Sequence, residues 1–410
     1  MSAEDAGPWR WSGRALDVSR VAAMVAMVGV PLSTALASTA IGVFALSLLV
    51  SGCVIRVVRG AFRQPLGKAI LVFFVVVMLG TLHGPAPLAE RWDSVWSWRK
   101  LLYAYLLLGM FGAELWKDRF VKTLATVATL GVVASFMAWF GWIPSKPFPH
   151  EVGVIFTNHT TQGMFFALGL LACAQLLMRA SGRWRWVLGA AVVLAVLNLL
   201  FVSPGRSAYF VAAAIPLALG WQRFGVRRLP LVAAAVGALC VGAYLVAPQV
   251  RDRVDLAVHE ALHADESEIL TSVGFRAVVY RHTIELIAAR PITGYGTGSF
   301  SHVYSPVVAK RYSDWRGEPT ADPHNLYMLI AMETGAFGLL AFAGILVTAL
   351  ACVRRGTMHA WIAAGALLGW MLTCLFNSHF RTFPESHLIS ILLGAMLASG
   401  SDLGRSLFSK

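Results

Sequence analysis

Runs of about 20 apolar residues recur along the whole chain, and this repetition constrains the fold more than any other feature. A helix of that length spans the hydrocarbon core of a bilayer, and a soluble protein of 410 residues would not repeat such runs from end to end. The chain is 57% hydrophobic and 13% charged, with a mean hydropathy of +0.67. We therefore expect an all-α polytopic membrane protein.

The apolar runs predict about 12 transmembrane helices. The candidate spans lie near 17–36, 38–55, 69–83, 100–116, 120–142, 161–178, 184–202, 207–222, 229–247, 323–353, 357–377 and 383–400. We expect three regions: helices 1–9 over residues 1–247, a large outer helical segment over 248–322 between spans 9 and 10, and helices 10–12 over 323–410. Helical periodicity with charged faces at 254–262 and 275–289 predicts short amphipathic helices in the middle region.

Lysine and arginine concentrate in every second loop, which places both termini in the cytoplasm by the positive-inside rule. The net charge of +13 fits these loops and their attraction to anionic membrane lipids. The basic residues are scattered rather than gathered on one face, so we expect no nucleic-acid binding. The five cysteines fall in apolar spans without paired spacing, so we expect neither a disulfide framework nor a thiolate metal site.

The stretch 322–327, Asp-Pro-His-Asn-Leu-Tyr, carries the strongest chemical signal. Asp322 can cap a helix and Pro323 suits a first helical position, which predicts His324 in the opening turn of a long helix. Backbone amides at a helix start favour phosphate and a neutral imidazole that can accept a proton. The alternative is an interfacial histidine at a helix cap with no chemical role.

Three arginines are predicted on the same membrane face as His324. Arg206 follows a Pro-Gly pair in a tight turn, and Arg276 and Arg281 lie on a predicted amphipathic helix. Guanidinium groups suit a diphosphate and can neutralise the charge that develops on a lipid-diphosphate leaving group, although snorkelling at a helix end would also explain Arg206. A neutral His324 could take the proton of an attacking sugar hydroxyl, so the set indicates glycosyl transfer. The chain has no evident nucleotide-binding or paired-aspartate motif, which favours a lipid-linked donor and demands no metal.

Two other classes of protein fit particular residues. Residues 259–263 read His-Glu-Ala-Leu-His and satisfy the H-E-x-x-H pattern of a zinc protease, although no third ligand is evident. Polar residues within spans, such as Asn198 and Glu333, would mark a substrate path in a transporter, but we see no inverted repeat. The alternating glycines of 294–298 predict turns, and a phosphate-binding loop is the weaker alternative.

Part of the chain, roughly residues 150–345, resembles the O-antigen ligase and polymerase superfamily. The resemblance rests on His324-Asn325-Leu326-Tyr327, on Glu333-Thr334-Gly335 with Gly338, on the run from Arg290 to Phe300, on Arg276, and on Arg206 at its short turn. Tyr280 stands where the family often has tryptophan. The resemblance implies a glycosyltransferase of the bacterial inner membrane, with a periplasmic active site, that moves a glycan from undecaprenyl diphosphate without a metal or another cofactor.

The resemblance also implies roles for individual residues. His324 is the expected catalytic base of a single inverting displacement, and Arg206 and Arg276 are the expected diphosphate-binding residues. Glu90 and Asp93 are competing candidates for the base, because other membrane glycosyltransferases often place a carboxylate in the first large outer loop. Further candidates are Arg281 for diphosphate binding and Asn325, Tyr327 and Gly296 for support of the site.

Within the superfamily, the number of spans, the single large outer segment and the modest length favour the ligase. This enzyme transfers O-antigen to a sugar hydroxyl of lipid A-core. The alternatives within the superfamily are an O-antigen polymerase, which extends a growing chain, and a protein O-oligosaccharyltransferase, which uses a protein hydroxyl.

Overall fold

The structure is a computed structural model that describes residues 8–146, 151–203, 205–262 and 270–400, with the backbone alone at residues 8–11, 206, 249 and 261. Regular secondary structure in these ranges is helical, and they contain no strand. In a bilayer core no water can bond the backbone, so each N–H and C=O group needs a partner within the protein. A helix supplies these partners within one segment, which explains why the long apolar runs are helical. The chain is an all-α membrane protein, as predicted.

Eleven helices cover the described residues up to 246. They are α1 (Pro8–Leu32), α2 (Thr34–Val50), α3 (Val54–Phe62), α4 (Pro65–Leu79), α5 (Leu88–Ser97), α6 (Lys100–Met110), α7 (Glu114–Trp139), α8 (His159–Leu177), α9 (Arg183–Phe201), α10 (Arg206–Phe224) and α11 (Leu229–Val246). α2 and α3 meet at an angle of 104°. The predicted span at 38–55 therefore falls on a sharply bent pair of helices.

The remaining described residues form six helices. They are α12 (Pro248–Leu262), α13 (Ser272–Ala289), α14 (Phe300–Arg311), α15 (Leu326–Ala351), α16 (Met358–Thr373) and α17 (Phe383–Leu397). α12 and α13 are helical where the sequence predicts short helices. Their position on the membrane, like the division of the chain into three regions, stays a prediction.

Among the described residues, seven helices are long and apolar enough to cross a bilayer, or eight if α2 and α3 together form one span. The seven are α1, α4, α7, α8, α9, α11 and α15. Every predicted span coincides with a helix, but α6 has only 11 residues. Such a helix is about 16 Å long, roughly half the thickness of the hydrocarbon core. The count of twelve spans therefore stays a prediction.

α15 is bent at Gly335, whose backbone is non-helical (φ 62, ψ −154). The bend frees carbonyl groups in the preceding turn, and the loop of residues 290–299 binds them. Tyr295 N–H donates to the carbonyl of Met332, and Gly296 N–H donates to that of Glu333, each at 2.8 Å. This loop therefore fixes the direction of the first half of α15, whose N-terminal end carries residues 322–325.

α10 lies between α8 and α16, where small residues allow close contact. A Cβ at Gly163 of α8 would lie 2.5 Å from Cβ of Ala208, and a Cβ at Gly369 of α16 would lie 2.9 Å from Cα of Val211. Small residues at such positions let helix backbones approach each other. The packing holds the first turn of α10 beside the start of α8 and the loop that follows α16.

Candidate active site

The structure corrects the predicted start of the helix at 322–327. α15 begins at Leu326, and Asn325 is its N-cap, whose side-chain oxygen accepts from Met328 N–H at 3.1 Å. The carboxylate of Asp322 instead accepts from His324 N–H at 2.7 Å. His324 has φ +55°, which is the left-handed region and cannot continue a right-handed helix. The expectation that His324 lies inside the first turn is therefore wrong, and this histidine lies in the loop just before the helix.

The left-handed backbone of His324 is held from several sides. It is the one described residue other than glycine with a positive φ. Such a conformation costs about 1–3 kcal/mol and persists where the surroundings enforce it. The Tyr280 hydroxyl lies 3.0 Å from the carbonyl oxygen of His324 and 2.8 Å from that of Leu375, and it can donate to either. Asp322 therefore holds the peptide group before His324, and Tyr280 holds the peptide group after it.

The ring of His324 is half-buried among an aromatic side chain and charged groups. The Phe275 ring meets it edge-on, with centroids 6.3 Å apart and an interplanar angle of 68°. Burial lowers the pKa of His324, the carboxylate of Asp322 opposes this effect, and the guanidinium of Arg276 adds to it. We conclude that the imidazole is neutral at neutral pH. The sequence predicts a neutral ring because of the helix dipole. In the structure, the causes that favour the neutral ring are burial and the charge of Arg276.

Arg276 and Arg281 of α13 differ in their relation to His324. Arg276 lies close enough to His324 and Tyr280 to influence both electrostatically, and its Nη1 donates to the hydroxyl of Ser272 at 2.7 Å. Arg281 is exposed and lies five residues further along, which is about 140° around the helix axis. The two arginines therefore leave α13 on different sides, and the guanidinium of Arg276 is close enough to lower the pKa of His324.

Arg206 is the first residue of α10, and the structure describes its backbone but not its side chain. The next residue, Ser207, has its hydroxyl 3.1 Å from Nε2 of His379. A Cβ at Gly205, the residue before Arg206, would lie 3.2 Å from the carbonyl oxygen of His159. The backbone at Arg206 is thus packed between the start of α8 and the loop after α16.

The loop between α16 and α17, residues 374–382, joins these parts of the candidate site. Ser378 donates to the carboxylate of Asp322 at 2.8 Å, while the adjacent His379 contacts Ser207. The Asn325 amide also donates to the carbonyl of Leu375 at 3.1 Å. One loop therefore connects the His324 loop with the first turn of α10, although the two are far apart in sequence.

The α16–α17 loop is not among the residues that the sequence predicts for the site. Its signal was the polar run Asn377-Ser378-His379 between two apolar spans, which any outer turn of a membrane protein could show. Only its position in the structure distinguishes it from other turns.

Three residues predicted to support the site have structural partners. Asn325 caps α15, and the Tyr327 hydroxyl donates to the carbonyl of Met371 on α16 at 3.0 Å. The amide of Gly296 is bonded to Glu333, and a Cβ at Gly296 would lie 2.1 Å from the carbonyl oxygen of His83. These contacts fit the prediction of turns in the glycine loop, and its bonded amides hold the bend of α15.

The competing candidates for the base lie on α5. The carboxylate of Glu90 is 2.7 Å from Nε2 of His302 on α14, and Asp93 follows one helical turn later. These two carboxylates remain alternatives to be tested by substitution.

The residues that suggested other classes have protein partners of their own. Asn198 donates to Ser135 at 3.0 Å and accepts from Ser203 at 2.9 Å, and Glu333 accepts from Ser94 at 3.4 Å. In the H-E-x-x-H run, Glu260 accepts from the amide of Val273 at 3.2 Å, whereas His263 lies outside the described residues. The described ranges contain no group of three or more side chains placed to hold a metal ion.

The comparison with known families covers the His324 loop, α13 and α10, and it does not extend to the α16–α17 loop or to α5. The sequence profile of the O-antigen ligase family matches residues 191–343, a range that includes Arg206, Arg276 and His324. No curated protein matches the chain. The matched range runs from α9 to the middle of α15, and it contains both the long segment before α15 and the bend at Gly335. The protein carries, over residues 191–343, the domain of the O-antigen ligase superfamily.

Proposed function

We propose that this protein is an O-antigen ligase, which moves O-antigen polysaccharide from undecaprenyl diphosphate to a sugar hydroxyl of lipid A-core. The observation that carries the proposal is the constrained, half-buried His324 beside Arg276, inside the range that the O-antigen ligase profile matches. A base next to a permanent cation suits the transfer of a sugar from a diphosphate.

The proposed reaction is a single inverting displacement. The acceptor oxygen attacks the anomeric carbon of the donor sugar, and the bond from that carbon to the diphosphate oxygen breaks. His324 takes the proton of the acceptor hydroxyl, and the electron pair leaves with the lipid diphosphate. Arg206 and Arg276 bind the diphosphate and neutralise its new charge, so the reaction demands no metal. Arg281 is a weaker candidate for the same role because it projects from another side of α13.

The proposed location is the bacterial inner membrane, with both termini in the cytoplasm and the site on the periplasmic side. The basic residues of alternate loops support this orientation. In this arrangement residues 248–322 form a periplasmic segment, and α13 brings Arg276 to the His324 loop from that side.

The reaction can be tested with purified protein in lipid nanodiscs. Supplied with undecaprenyl-diphosphate-linked glycan and lipid A-core, the protein should produce capped lipopolysaccharide and release undecaprenyl diphosphate. Extension of the lipid-linked glycan would instead indicate a polymerase, and transfer to a protein hydroxyl would indicate a protein O-oligosaccharyltransferase. Release of undecaprenyl diphosphate with none of these acceptors modified would contradict all three transferase assignments.

A further inference from the structure

His379 is a buried imidazole at the first turn of α10 that has no role in the reaction above. Its exposed fraction is 4%, and its Nε2 lies 3.1 Å from the hydroxyl of Ser207. The other ring nitrogen, Nδ1, is buried and has no hydrogen-bond partner among the described residues. A buried polar atom without a hydrogen-bond partner costs free energy of folding. A bound ligand could supply the missing partner of this nitrogen.

The neighbours of His379 favour one position for the proton of its ring. The side-chain amide of Asn377 lies 3.4 Å from the same Ser207 oxygen, and an amide NH₂ group can only donate. With the Asn377 hydrogen bond in place, Ser207 still has its own hydrogen to donate to Nε2 of His379. Nε2 is then an acceptor, so the proton of a neutral ring lies on Nδ1. Burial lowers the pKa of His379, and the carboxylates of Glu385 and Asp322 oppose this effect.

The surroundings of Nδ1–H favour a phosphoryl oxygen as its acceptor. α10 has 19 residues, and its N-cap Gly205 supplies no side-chain acceptor to the amides of the first turn, although Ala208 N–H donates to the carbonyl of Gly205 at 3.1 Å. A helix start of this kind favours an anion. Neither nearby carboxylate accepts from Nδ1, since Glu385 accepts from Thr161 at 2.8 Å and Asp322 accepts from Ser378 and His324. A neutral N–H donor beside a helix start suits an anionic oxygen and does not suit a cation.

We propose that His379 binds the lipid diphosphate, with Nδ1–H donating to a phosphoryl oxygen and Ser207 holding the ring in the required tautomer. The inference rests on the proposed function, which supplies a lipid-linked diphosphate as the donor. His379 is uncharged and therefore gives a directional hydrogen bond, whereas Arg206 and Arg276 give charge. In this role it is a donor-binding residue that orients the phosphate before the sugar is transferred.

Two substitutions of His379 separate binding from a purely structural role. The amide nitrogen of asparagine reaches about the position of Nδ1, and that of glutamine reaches about the position of Nε2. We expect His379→Gln, which keeps the reach to Ser207 and loses the Nδ1 donor, to weaken the affinity of the full chain in nanodiscs for farnesyl diphosphate about tenfold. His379→Asn should stay within about threefold of the wild type, since it keeps a donor. The reverse order would show that His379 only holds the first turn of α10, and the proposal would be overturned.

A third variant and two controls complete the test. Ser207→Ala removes the hydroxyl that fixes the tautomer and should weaken binding by about threefold; unchanged binding in this variant would contradict the tautomer argument. His282 is a matched control because it is also buried, at 2% exposure, and its ring nitrogens contact Arg311 and Tyr312. His282→Gln should lower the unfolding temperature without changing the affinity. Farnesol, which lacks phosphate, should show no dependence on residue 379.

The outcome also separates this inference from the proposed function. If the wild type does not bind farnesyl diphosphate, the proposal of a lipid-diphosphate donor is wrong, and the proposed role of His379 is then wrong as well. If the wild type binds and both His379 variants bind equally well, only the inference about His379 is wrong.

Discussion

At the scale of single residues, His324 combines an unusual backbone with a ring that stays unprotonated. Asp322 and Tyr280 hold its peptide groups, and burial with Arg276 lowers the pKa of its imidazole. A general base must be both correctly placed and deprotonated at the working pH. The contacts around His324 fix its backbone and favour the neutral ring, and both properties suit the proposed base.

Replacing His324 by asparagine should abolish transfer while preserving the local backbone. Asparagine tolerates the left-handed conformation better than other substitutes, so the loop at φ +55° can be retained without an imidazole. We expect the turnover number to fall about 10²–10⁴-fold, the contribution typical of a positioned general base. The rate of capped-lipopolysaccharide formation measures this, with the unfolding temperature as a check on folding. Near-normal turnover in His324→Asn would show that another group, such as Glu90, is the base.

The pH dependence of turnover should follow the lowered pKa of His324. The reaction needs the neutral ring, so the rate should rise with pH, reach half its maximum below the ordinary histidine value of about 6.5, and then stay constant. Folding stability should decrease as the pH falls through the same range, because the unfolded chain binds the proton more readily. Arg276→Gln removes a charge that lowers the pKa of His324 and should move the midpoint of the rate profile upward. If the pH profile of this variant, measured at saturating donor, is unchanged, Arg276 does not influence the pKa of the catalytic base.

Tyr280→Phe should reduce turnover more than it reduces stability. The hydroxyl lies between the carbonyl oxygens of His324 and Leu375 and can donate to either, so its loss removes a link between the His324 loop and the α16–α17 loop. We expect turnover to fall about tenfold, because a small displacement of a catalytic group is enough for this effect. Tyr105→Phe is the matched control, since its hydroxyl donates at 2.9 Å to the carbonyl of Val58 on α3, at the opposite end of α6 from the loop after α16. Equal losses of turnover in the two variants would contradict the positioning role of Tyr280.

At the scale of helices, the bend of α15 decides where His324 lies. The helix is broken at Gly335, and the loop of residues 290–299 binds the freed carbonyl groups. A straight helix would have no free carbonyls for Tyr295 and Gly296 to bind, and the start of α15 would point elsewhere. A change in the bend at Gly335 is therefore expected to move His324 out of its position in the site.

Gly335→Ala should destabilise the protein, whereas Gly344→Ala on the same helix should not. Gly335 has φ +62°, and a Cβ there would lie 2.2 Å from the carbonyl oxygen of Ile292, but a Cβ at Gly344 meets nothing within 4 Å. The backbone strain alone is worth about 1–3 kcal/mol. Replacement of a helical glycine by alanine is expected to be neutral or to stabilise by up to about 1 kcal/mol. Thermal unfolding in detergent measures both, and equal unfolding temperatures would mean that the bend is not required for stability.

At the scale of the whole molecule, orientation in the membrane decides whether the site meets its substrates. Basic loops at alternate positions predict that residues 225–228 face the cytoplasm and that residues 248–322 face the periplasm. Seven or eight of the described helices qualify as spans by length and composition, so this orientation stays a prediction.

Cysteine labelling in intact cells tests this orientation. In a background without the five native cysteines, Ser313→Cys should react with a membrane-impermeant maleimide from outside the cytoplasmic membrane. Arg227→Cys should react only after the membrane is permeabilised, and both positions are exposed in the structure. Labelling of Arg227→Cys in intact cells would reverse the proposed orientation and place the candidate site in the cytoplasm.

The sequence by itself determined that the chain is a helical membrane protein, because apolar runs of bilayer length can satisfy their backbone only as helices. It also singled out His324, Arg206 and Arg276, whose chemistry depends on side-chain type and can be read without coordinates. Local signals were less reliable at the start of α15, since both Asp322 and Asn325 are good caps and only the left-handed conformation of His324 selects the second.

Only the tertiary structure decided which distant segments meet. The α16–α17 loop bonds Asp322 and Ser207 through adjacent residues, and α13 brings Arg276 close enough to lower the pKa of His324. Contacts of this kind depend on how helices pack against one another, and packing against distant segments leaves no pattern within a single stretch of sequence. For the same reason, the orphaned nitrogen of His379 became visible only when its neighbours were in place.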